Sequence, residues 1–206
     1  MNKRLNSSLT KRRLNLTNLL IVVIHYTKDI PGRCKMEAFE VIEEPLTEII
    51  DGEEIMSYSP FRRHEDIFMR LSYIIQQHIK KDKLGYIYGA PLDVILEEGI
   101  NRLQPDLIFV KRENSKILQD WIRGVPDMVC EIVSKGSVTK DTAIKKDIYE
   151  RYRVPEYWIV LPETQTVQVF IIEDNRYRLY CYAEGEGVIR SKAIDGLEMV
   201  RVLVVE

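Results

Sequence analysis

The chain is poor in cysteine and has no excess of positive charge. Its three cysteines, Cys34, Cys130 and Cys181, are widely spaced and form no Cys-x-x-Cys pair, so neither a zinc site nor a disulfide framework is indicated. This usage fits best with a reducing cytoplasm. The 30 basic and 32 acidic residues give a net charge of −2, which excludes a strongly basic nucleic-acid-binding chain. Any contact with nucleic acid must therefore use a local basic patch.

A long hydrophobic run is also missing. The apolar segment from Leu14 to Ile24 is interrupted by polar residues and is too short to span a bilayer, so we expect no membrane association. Basic residues precede it, but no small-residue cleavage site follows, which disfavours a signal peptide. We therefore expect residues 1–35 to form a poorly ordered leader and residues 36–206 to form the folded domain.

The composition is that of one globular domain, with 45% hydrophobic and 30% charged residues in a chain of 206. Asp51-Gly52 between apolar runs indicates a hairpin. Apolar residues at helical spacing predict helices over 61–81 and 139–153. β-rich segments predict strands over 86–96 and 103–110, paired as a hairpin, and over 127–133, 156–161, 166–172, 176–182 and 197–205. This order predicts an α/β domain with a mixed sheet flanked by helices.

Three acidic residues, Asp93, Asp106 and Glu131, lie inside strongly apolar predicted strands. A buried carboxylate without a partner is costly, so each needs a cation or a position at a sheet edge. Taken singly, each also fits an exposed, salt-bridged or turn residue. Carboxylates that converge on one point repel each other, and a divalent cation relieves that repulsion. The combination therefore favours a metal site.

A lysine accompanies these acids on the second predicted helix, whose buried stripe consists of Ile144, Ile148 and Tyr152. Lys145 and Tyr149 lie four residues apart and one step round from that stripe. We expect Lys145 at the margin of the buried face and Lys146 facing solvent. A lysine beside two carboxylates can orient a water molecule or stabilise developing negative charge. The alternative is an exposed lysine paired with Asp141 one turn earlier.

The segment from Ser134 to Arg153 carries a local excess of positive charge, with six basic residues against three acidic ones. Together with Arg62 and Arg63 it can form a phosphate-facing patch. Within this patch, Lys135 and Lys140 are the candidate substrate-binding residues. A solvated charged helix is the alternative interpretation.

Several motifs occur in an order that resembles one known family. They are Asp51-Gly52-Glu53, Ser59-Pro60, His64, Pro105-Asp106, Glu131-Ile132-Val133-Ser134, Lys145, Tyr149 and Val154-Pro155-Glu156-Tyr157-Trp158. From about Ile42 to Val200 the chain resembles the Uma2 family of restriction endonucleases, which is placed in the PD-(D/E)XK nuclease superfamily. The resemblance implies a restriction-endonuclease-like fold with an αβββαβ-type core.

The resemblance also implies roles for individual residues. Asp106 and Glu131 match the family's two acids, which would bind Mg²⁺ or Mn²⁺. Lys145 matches a helical lysine that replaces the usual third motif position, here Val133. The turn after Val133 departs from the family's usual Leu-Ser-Pro-Ser-Thr, so Lys135 is a second candidate for the lysine role.

Four further residues are candidates for supporting roles. His64 and Glu53 match recurrent positions of the family. Asp93 and Tyr149 lie, respectively, in the strand next to Asp106 and on the helix that carries Lys145.

The implied activity is metal-dependent hydrolysis of phosphodiester bonds in DNA, with Asp106, Glu131 and Lys145 as catalytic residues. The alternative is a nucleic-acid-binding or protein-interaction module that keeps the fold with little or no catalysis. A divalent-metal titration separates the two. Cleaving both strands of a duplex is simplest with two copies, so we expect a homodimer with contacts through segments 166–172 and 197–205.

Overall fold

Two large β-sheets form the framework of the domain, and the computed structural model describes residues 47–56, 61–134 and 136–200. The spatial order of the five-stranded sheet is β2 (Glu53–Met56), β1 (Thr47–Ile50), β5 (Asn101–Leu103), β4 (Val94–Glu97) and β7 (Ile122–Arg123). The order of the six-stranded sheet is β11 (Arg176–Glu184), β10 (Thr166–Glu173), β9 (Glu156–Leu161), β8 (Met128–Ile132), β6 (Leu107–Lys111) and β3 (Gly85–Gly89). The strands β12 (Val188–Arg190) and β13 (Glu198–Val200) pair with each other.

Both large sheets mix parallel and antiparallel pairs, as predicted for this α/β fold. In the six-stranded sheet only β8 and β9 run parallel. The hairpin of β1 and β2 turns at Asp51 and Gly52, which both have positive φ (48° and 83°). This turn conformation matches the twist of the flanking strands and favours glycine at its second position.

The long helix α1 (Arg62–Asp82) confirms the predicted helix to within one residue. Ile67, Leu71, Ile75 and Ile79 recur every four residues and are buried. This stripe covers one face of the six-stranded sheet, because helical residues four apart share a face. The helix ends at Lys83, whose left-handed backbone (φ 54°) caps it.

Strand β8 separates two hydrophobic cores, as its alternating pattern predicts. Met128, Cys130 and Ile132 belong to the core beneath α1. Val129 and Val133 belong to the core on the opposite face, which also contains residues of the second helical segment. Glu131 therefore points toward that second segment.

The predicted strands 86–96 and 103–110 are each broken in two, which corrects the simple hairpin. Their outer halves, β3 and β6, pair in the six-stranded sheet, and their inner halves, β4 and β5, pair in the five-stranded sheet. Pro91 and Pro105 lie in the breaks, because a proline has no N–H to donate to a strand ladder. Asp93 and Asp106 consequently lie at the junction of the two sheets.

The second helical segment differs from the predicted regular helix. It is π-helical over Lys140–Lys145 and continues as α2 (Lys146–Arg151). Ile144 is 41% exposed, so the predicted stripe is wrong at this residue, whereas Asp141, Lys145 and Tyr149 are buried. Charged residues occupy the inner face because the acids opposite them need partners.

The C-terminal strands agree with the predictions over 156–161, 166–172 and 176–182. Strand β12 was not predicted, and segment 197–205 is described only to residue 200, with a strand at Glu198–Val200. The predicted leader, residues 1–35, lies outside the described residues. Among the helices that the structure describes, none is long and apolar enough to cross a membrane.

Candidate active site

A buried carboxylate, an ammonium group and a phenol hydroxyl meet between β8 and the π-helical segment. Glu131 is 2% exposed. Its Oε1 accepts hydrogen bonds from Lys145 Nζ at 3.0 Å and from the Tyr149 hydroxyl at 2.8 Å. Lys145 and Tyr149 lie one helical turn apart, so both reach the same carboxylate. The structure thus brings together three of the residues singled out in the sequence.

Lys145 is the centre of the cluster, and the expectation that it lies at a margin is wrong. The residue is 2% exposed. Its Nζ lies 2.7 Å from Glu48 Oε1, in addition to the contact with Glu131, and 3.8 Å from Asp141 Oδ1. The pairing with Asp141 one turn earlier therefore exists, but it is the longest of three contacts with carboxylates.

Glu48 is a site residue that the sequence interpretation missed. It lies on β1, is 1% exposed, and accepts hydrogen bonds from the Gln104 backbone N–H and Lys140 Nζ, both at 2.9 Å. The residue links the five-stranded sheet to the cluster. The available signal was an acid next to the apolar pair Ile49-Ile50, the same pattern that pointed to Glu131.

Asp106 joins the cluster through the backbone of β8. Its Oδ2 accepts a 2.6 Å hydrogen bond from the Ile132 backbone N–H, and its Oδ1 lies 3.2 Å from His64 Nε2. Because Ile132 follows Glu131 directly, this bond holds both acids at the same end of β8. His64 lies in the first turn of α1, so the helix start contributes to the site as well.

Charge and burial act in opposite directions on the carboxyl groups. Burial raises the pKa of Glu131 well above its usual value, and the attraction of Lys145 does not offset it. Burial also disfavours ionisation of Glu48, but Lys145 and Lys140 outweigh it and lower the pKa of that carboxyl. Glu48 is therefore the principal counterion of the ammonium group, and Glu131 keeps a proton to higher pH.

Neighbouring carboxyl groups favour the protonated forms of Lys145 and His64. Burial opposes the charge on Lys145, but Glu131, Glu48 and Asp141 together raise its pKa. Burial likewise opposes protonation of His64, but its contacts with Asp106 and Glu65 together outweigh burial and raise the His64 pKa. The site thus combines a charged lysine with two glutamates whose pKa values are shifted in opposite directions.

The remaining candidate residues lie at different distances from the cluster around Lys145. Asp93 is buried and accepts a 2.8 Å hydrogen bond from Gln104 Nε2, so Gln104 links it to Glu48. Glu53 is exposed on β2 and makes no contact with the cluster among the described residues. Lys140 is engaged with Glu48. Lys135 lies outside the described residues.

The cluster contains the type of ligand atoms that a hard divalent cation binds. Carboxylate oxygens of Asp106, Glu131, Glu48 and Asp141 outnumber the neighbouring lysines, and oxygen ligands are those that Mg²⁺ prefers. The geometry is less complete, since no group of three or more His, Cys, Asp or Glu side chains within the described ranges is placed to hold a metal ion. Lys145 lies among three of these carboxylates, Glu131, Glu48 and Asp141.

The fold has a relative among solved structures. The chain is similar to the crystal structure, at 1.96 Å resolution, of "a putative nuclease belonging to DUF820" from Anabaena variabilis ATCC 29413. The TM-score is 0.61 at 17% sequence identity, and the match covers 76% of this chain and 89% of that chain. At this identity the likeness concerns the fold. No curated protein matches the chain.

Mixed sheets with flanking helices define an α/β protein of nuclease-like fold. Residues 36–205 match the model of the Uma2 family, described as "Putative restriction endonuclease". The chain belongs to this family, which confirms the resemblance stated from its motifs.

Proposed function

We propose that the protein is a metal-dependent endonuclease that hydrolyses phosphodiester bonds in DNA, with Asp106, Glu131 and Lys145 as its catalytic residues. The observation that carries the proposal is the buried ammonium of Lys145, 3.0 Å from Glu131 and 2.7 Å from Glu48. Burying this ammonium group among the carboxyl groups of Glu131, Glu48 and Asp141 is costly for a purely structural purpose. Phosphoryl transfer uses such groups, because negative charge develops on the phosphate oxygens.

Asp106 and Glu131 are the residues that would hold Mg²⁺ or Mn²⁺. When bound, the cation would polarise the phosphate and lower the pKa of a bound water. The Ile132 backbone N–H orients Asp106, and the Tyr149 hydroxyl orients Glu131. Both acids are thereby held in place before any ligand arrives.

Lys145 keeps its proton and serves as a fixed positive charge. Surrounded by carboxylates that raise its pKa, it stabilises developing negative charge and orients water, and it does not act as a base. Glu48 positions the ammonium group of Lys145, and Tyr149 positions the carboxyl group of Glu131. His64 Nε2 contacts Oδ1 of Asp106 and so helps to position this carboxylate.

Family membership supports a nuclease, and DNA is our proposal for its substrate. Cutting both strands of a duplex is simplest with two copies of the chain, so a homodimer is also part of the proposal. Strand β10 lies between β9 and β11, so its backbone edge is already paired and only its side chains can contribute to such a contact. A reducing, cytoplasmic setting is proposed from cysteine usage alone.

Cleavage of supercoiled plasmid and single-stranded DNA with Mg²⁺ or Mn²⁺ tests the proposal, with a chelator as control. We expect metal-dependent cleavage that is lost in Asp106→Asn and Glu131→Gln. Matched controls are Asp120→Asn and Glu184→Gln, which change exposed acids remote from the cluster in the chain. Calorimetry should show that the two site variants bind the cation more weakly, since each loses a charged oxygen ligand.

The alternative is a nucleic-acid-binding or protein-interaction module, and the incomplete metal-ligand geometry favours it. DNA binding that is indifferent to metal, with no cleavage at any metal concentration, would establish this alternative and refute the endonuclease.

A further inference from the structure

We propose that a basic groove between the end of α1 and the edge strand β3 binds the phosphate backbone of the nucleic-acid substrate. The inference deepens the proposed nuclease function, from which it takes its ligand. It assigns to the groove the task of holding the substrate strand beyond the point of cleavage.

The groove is a cavity of about 380 Å³ with a one-sided charge. Its polar and aromatic lining consists of Gln76, Lys80, Lys83, Tyr86, Tyr88 and Arg112. Three of these side chains are cationic and none is acidic. A concave surface with this lining attracts phosphate groups, and the exposed ring of Tyr86 offers a face on which a base can stack.

The three cations are available for a ligand. Across the described ranges, Lys80, Lys83 and Arg112 form no ion pair, and all three residues are exposed. Some basic residues outside the groove are engaged in ion pairs, such as Arg151 with Asp51 and Arg176 with Glu150. The groove therefore has positive charge that the fold itself does not use.

The electrostatic field of helix α1 explains only some of the basic residues in the groove. A lysine in the last turn of a helix is stabilised by the partial negative charge of the helix end, which explains Lys80 without any ligand. Arg112, however, begins a 3₁₀ helix that follows β6. Its backbone N–H donates to the Leu84 carbonyl at 3.0 Å, which fixes it beside the end of α1. Two separate elements thus bring their cations to one cavity.

The strand pair of β3 and β6 connects the groove to the candidate active site. Gly89 pairs with Leu107, next to Asp106, and Gly85 pairs with Lys111, next to Arg112. Four residues of strand span about 13 Å. This distance corresponds to about four nucleotides along a B-form strand, at about 3.4 Å each. A backbone that reaches Asp106 can therefore continue along β3 into the groove.

The test compares two triple variants with the same loss of charge. The groove variant carries Lys80→Gln, Lys83→Gln and Arg112→Gln. The control variant carries Lys81→Gln, Lys116→Gln and Arg178→Gln, which change exposed residues outside the groove lining. Fluorescence anisotropy with a labelled duplex and a labelled single strand, in chelator and from 50 to 200 mM salt, measures binding without cleavage. Circular dichroism checks that both variants are folded.

We expect the groove variant to bind more weakly and with a shallower salt dependence. The slope of log K against log salt should fall by about 0.9 for each lost phosphate contact on duplex DNA and about 0.7 on the single strand. The control variant should keep the parent slope. Equal affinity and slope in the groove variant and the control would overturn the proposal, as would a parent chain that binds neither DNA.

The outcome is separable from that of the nuclease proposal. If the parent cleaves DNA with none of the metals tested but the groove variant shows the expected shallower salt dependence of binding, the groove assignment stands and the nuclease assignment fails. If the parent cleaves DNA while the groove variant binds like the parent, the nuclease stands and the groove assignment fails.

Discussion

Two buried glutamates on neighbouring strands have opposite surroundings. Glu131 on β8 and Glu156 on β9 are 2% and 1% exposed, respectively. Glu156 pairs with Met128, so it lies on the sheet face that α1 covers, whereas Glu131 lies on the other face. Two glutamate side chains are thus buried on opposite faces of one sheet, and their hydrogen-bond partners differ.

Glu156 is surrounded by neutral donors. It accepts hydrogen bonds of 2.6 to 2.9 Å from Trp158 Nε1, Ser191 Oγ and the backbone N–H groups of Lys192 and Ala193. Three of these donors lie on the segment between β12 and β13. The carboxylate is saturated and holds this segment against the sheet.

Glu131 is surrounded by charges instead. One of its oxygens is shared by Lys145 and Tyr149, and the charges of Asp141, Asp106 and Glu48 act on it as well. Its pKa is raised by burial beyond what Lys145 offsets. The comparison teaches that burial of an acid does not by itself indicate function. The distinguishing feature is whether its partners are fixed neutral donors or other ionisable groups.

The largest expected effect comes from removing the shared cation. Lys145→Ala leaves Glu131, Glu48 and Asp141 without their common counterion, so we expect a loss of about 3–5 kcal/mol in the free energy of unfolding. Turnover per folded molecule should fall by a factor on the order of 10² to 10³. Chemical denaturation and a DNA cleavage assay measure the two effects.

Lys146→Ala is the matched control, since Lys146 Nζ lies over the Phe170 ring at 3.6 Å and makes no ion pair within the described residues. It should cost at most about 1 kcal/mol. The double variant Lys145→Ala/Glu131→Gln should regain part of the stability and none of the activity. A Lys145→Ala protein that cleaves as fast as the parent would refute the catalytic assignment.

The second prediction sets the two glutamates against each other. Glu156→Gln places an amide NH₂ among donors, so we expect a loss of about 3 kcal/mol in stability with unchanged turnover per folded molecule. Glu131→Gln keeps an acceptor for Lys145 and Tyr149 and removes a carboxyl that burial disfavours. Its stability should change by less than about 1 kcal/mol, while cleavage is lost. Similar stability losses in both variants would remove the distinction between the two sites.

The smallest expected effect concerns the outer pair of the cluster, His64 and Asp106. Because the folded-state pKa of His64 is raised above its usual 6.5, the pair contributes stability that is fully present below pH 6.5 and is lost as pH rises through the raised pKa. In chelator, His64→Asn should therefore cost about 1 kcal/mol at pH 6. The cost should shrink as pH rises. Denaturation curves from pH 5 to 9 measure it, and a difference that grows with pH would contradict the pairing.

Local patterns in the sequence determined much of the framework. The buried stripe of α1, the alternating faces of β8 and the Asp51-Gly52 turn follow from periodicities of 3.6 and 2 residues and from turn chemistry. The same reasoning singled out Asp106, Glu131 and Lys145 as candidate site residues, because a charged residue in an apolar pattern needs a partner wherever the chain folds.

Only the tertiary structure decided which partners these residues have. Lys140 on the π-helical segment and Glu48 on β1 are 92 residues apart in the chain, and no local period encodes such a contact. Likewise, the break of one predicted hairpin into two sheets depends on pairing between distant strands. The exposure of Ile144 and the burial of Lys145 reverse the hydrophobic pattern of the helix, because buried carboxylates opposite the helix bind a cation more strongly than they tolerate an apolar face. The identity of the central residue therefore follows from electrostatics in the folded state, which sequence periodicity does not contain.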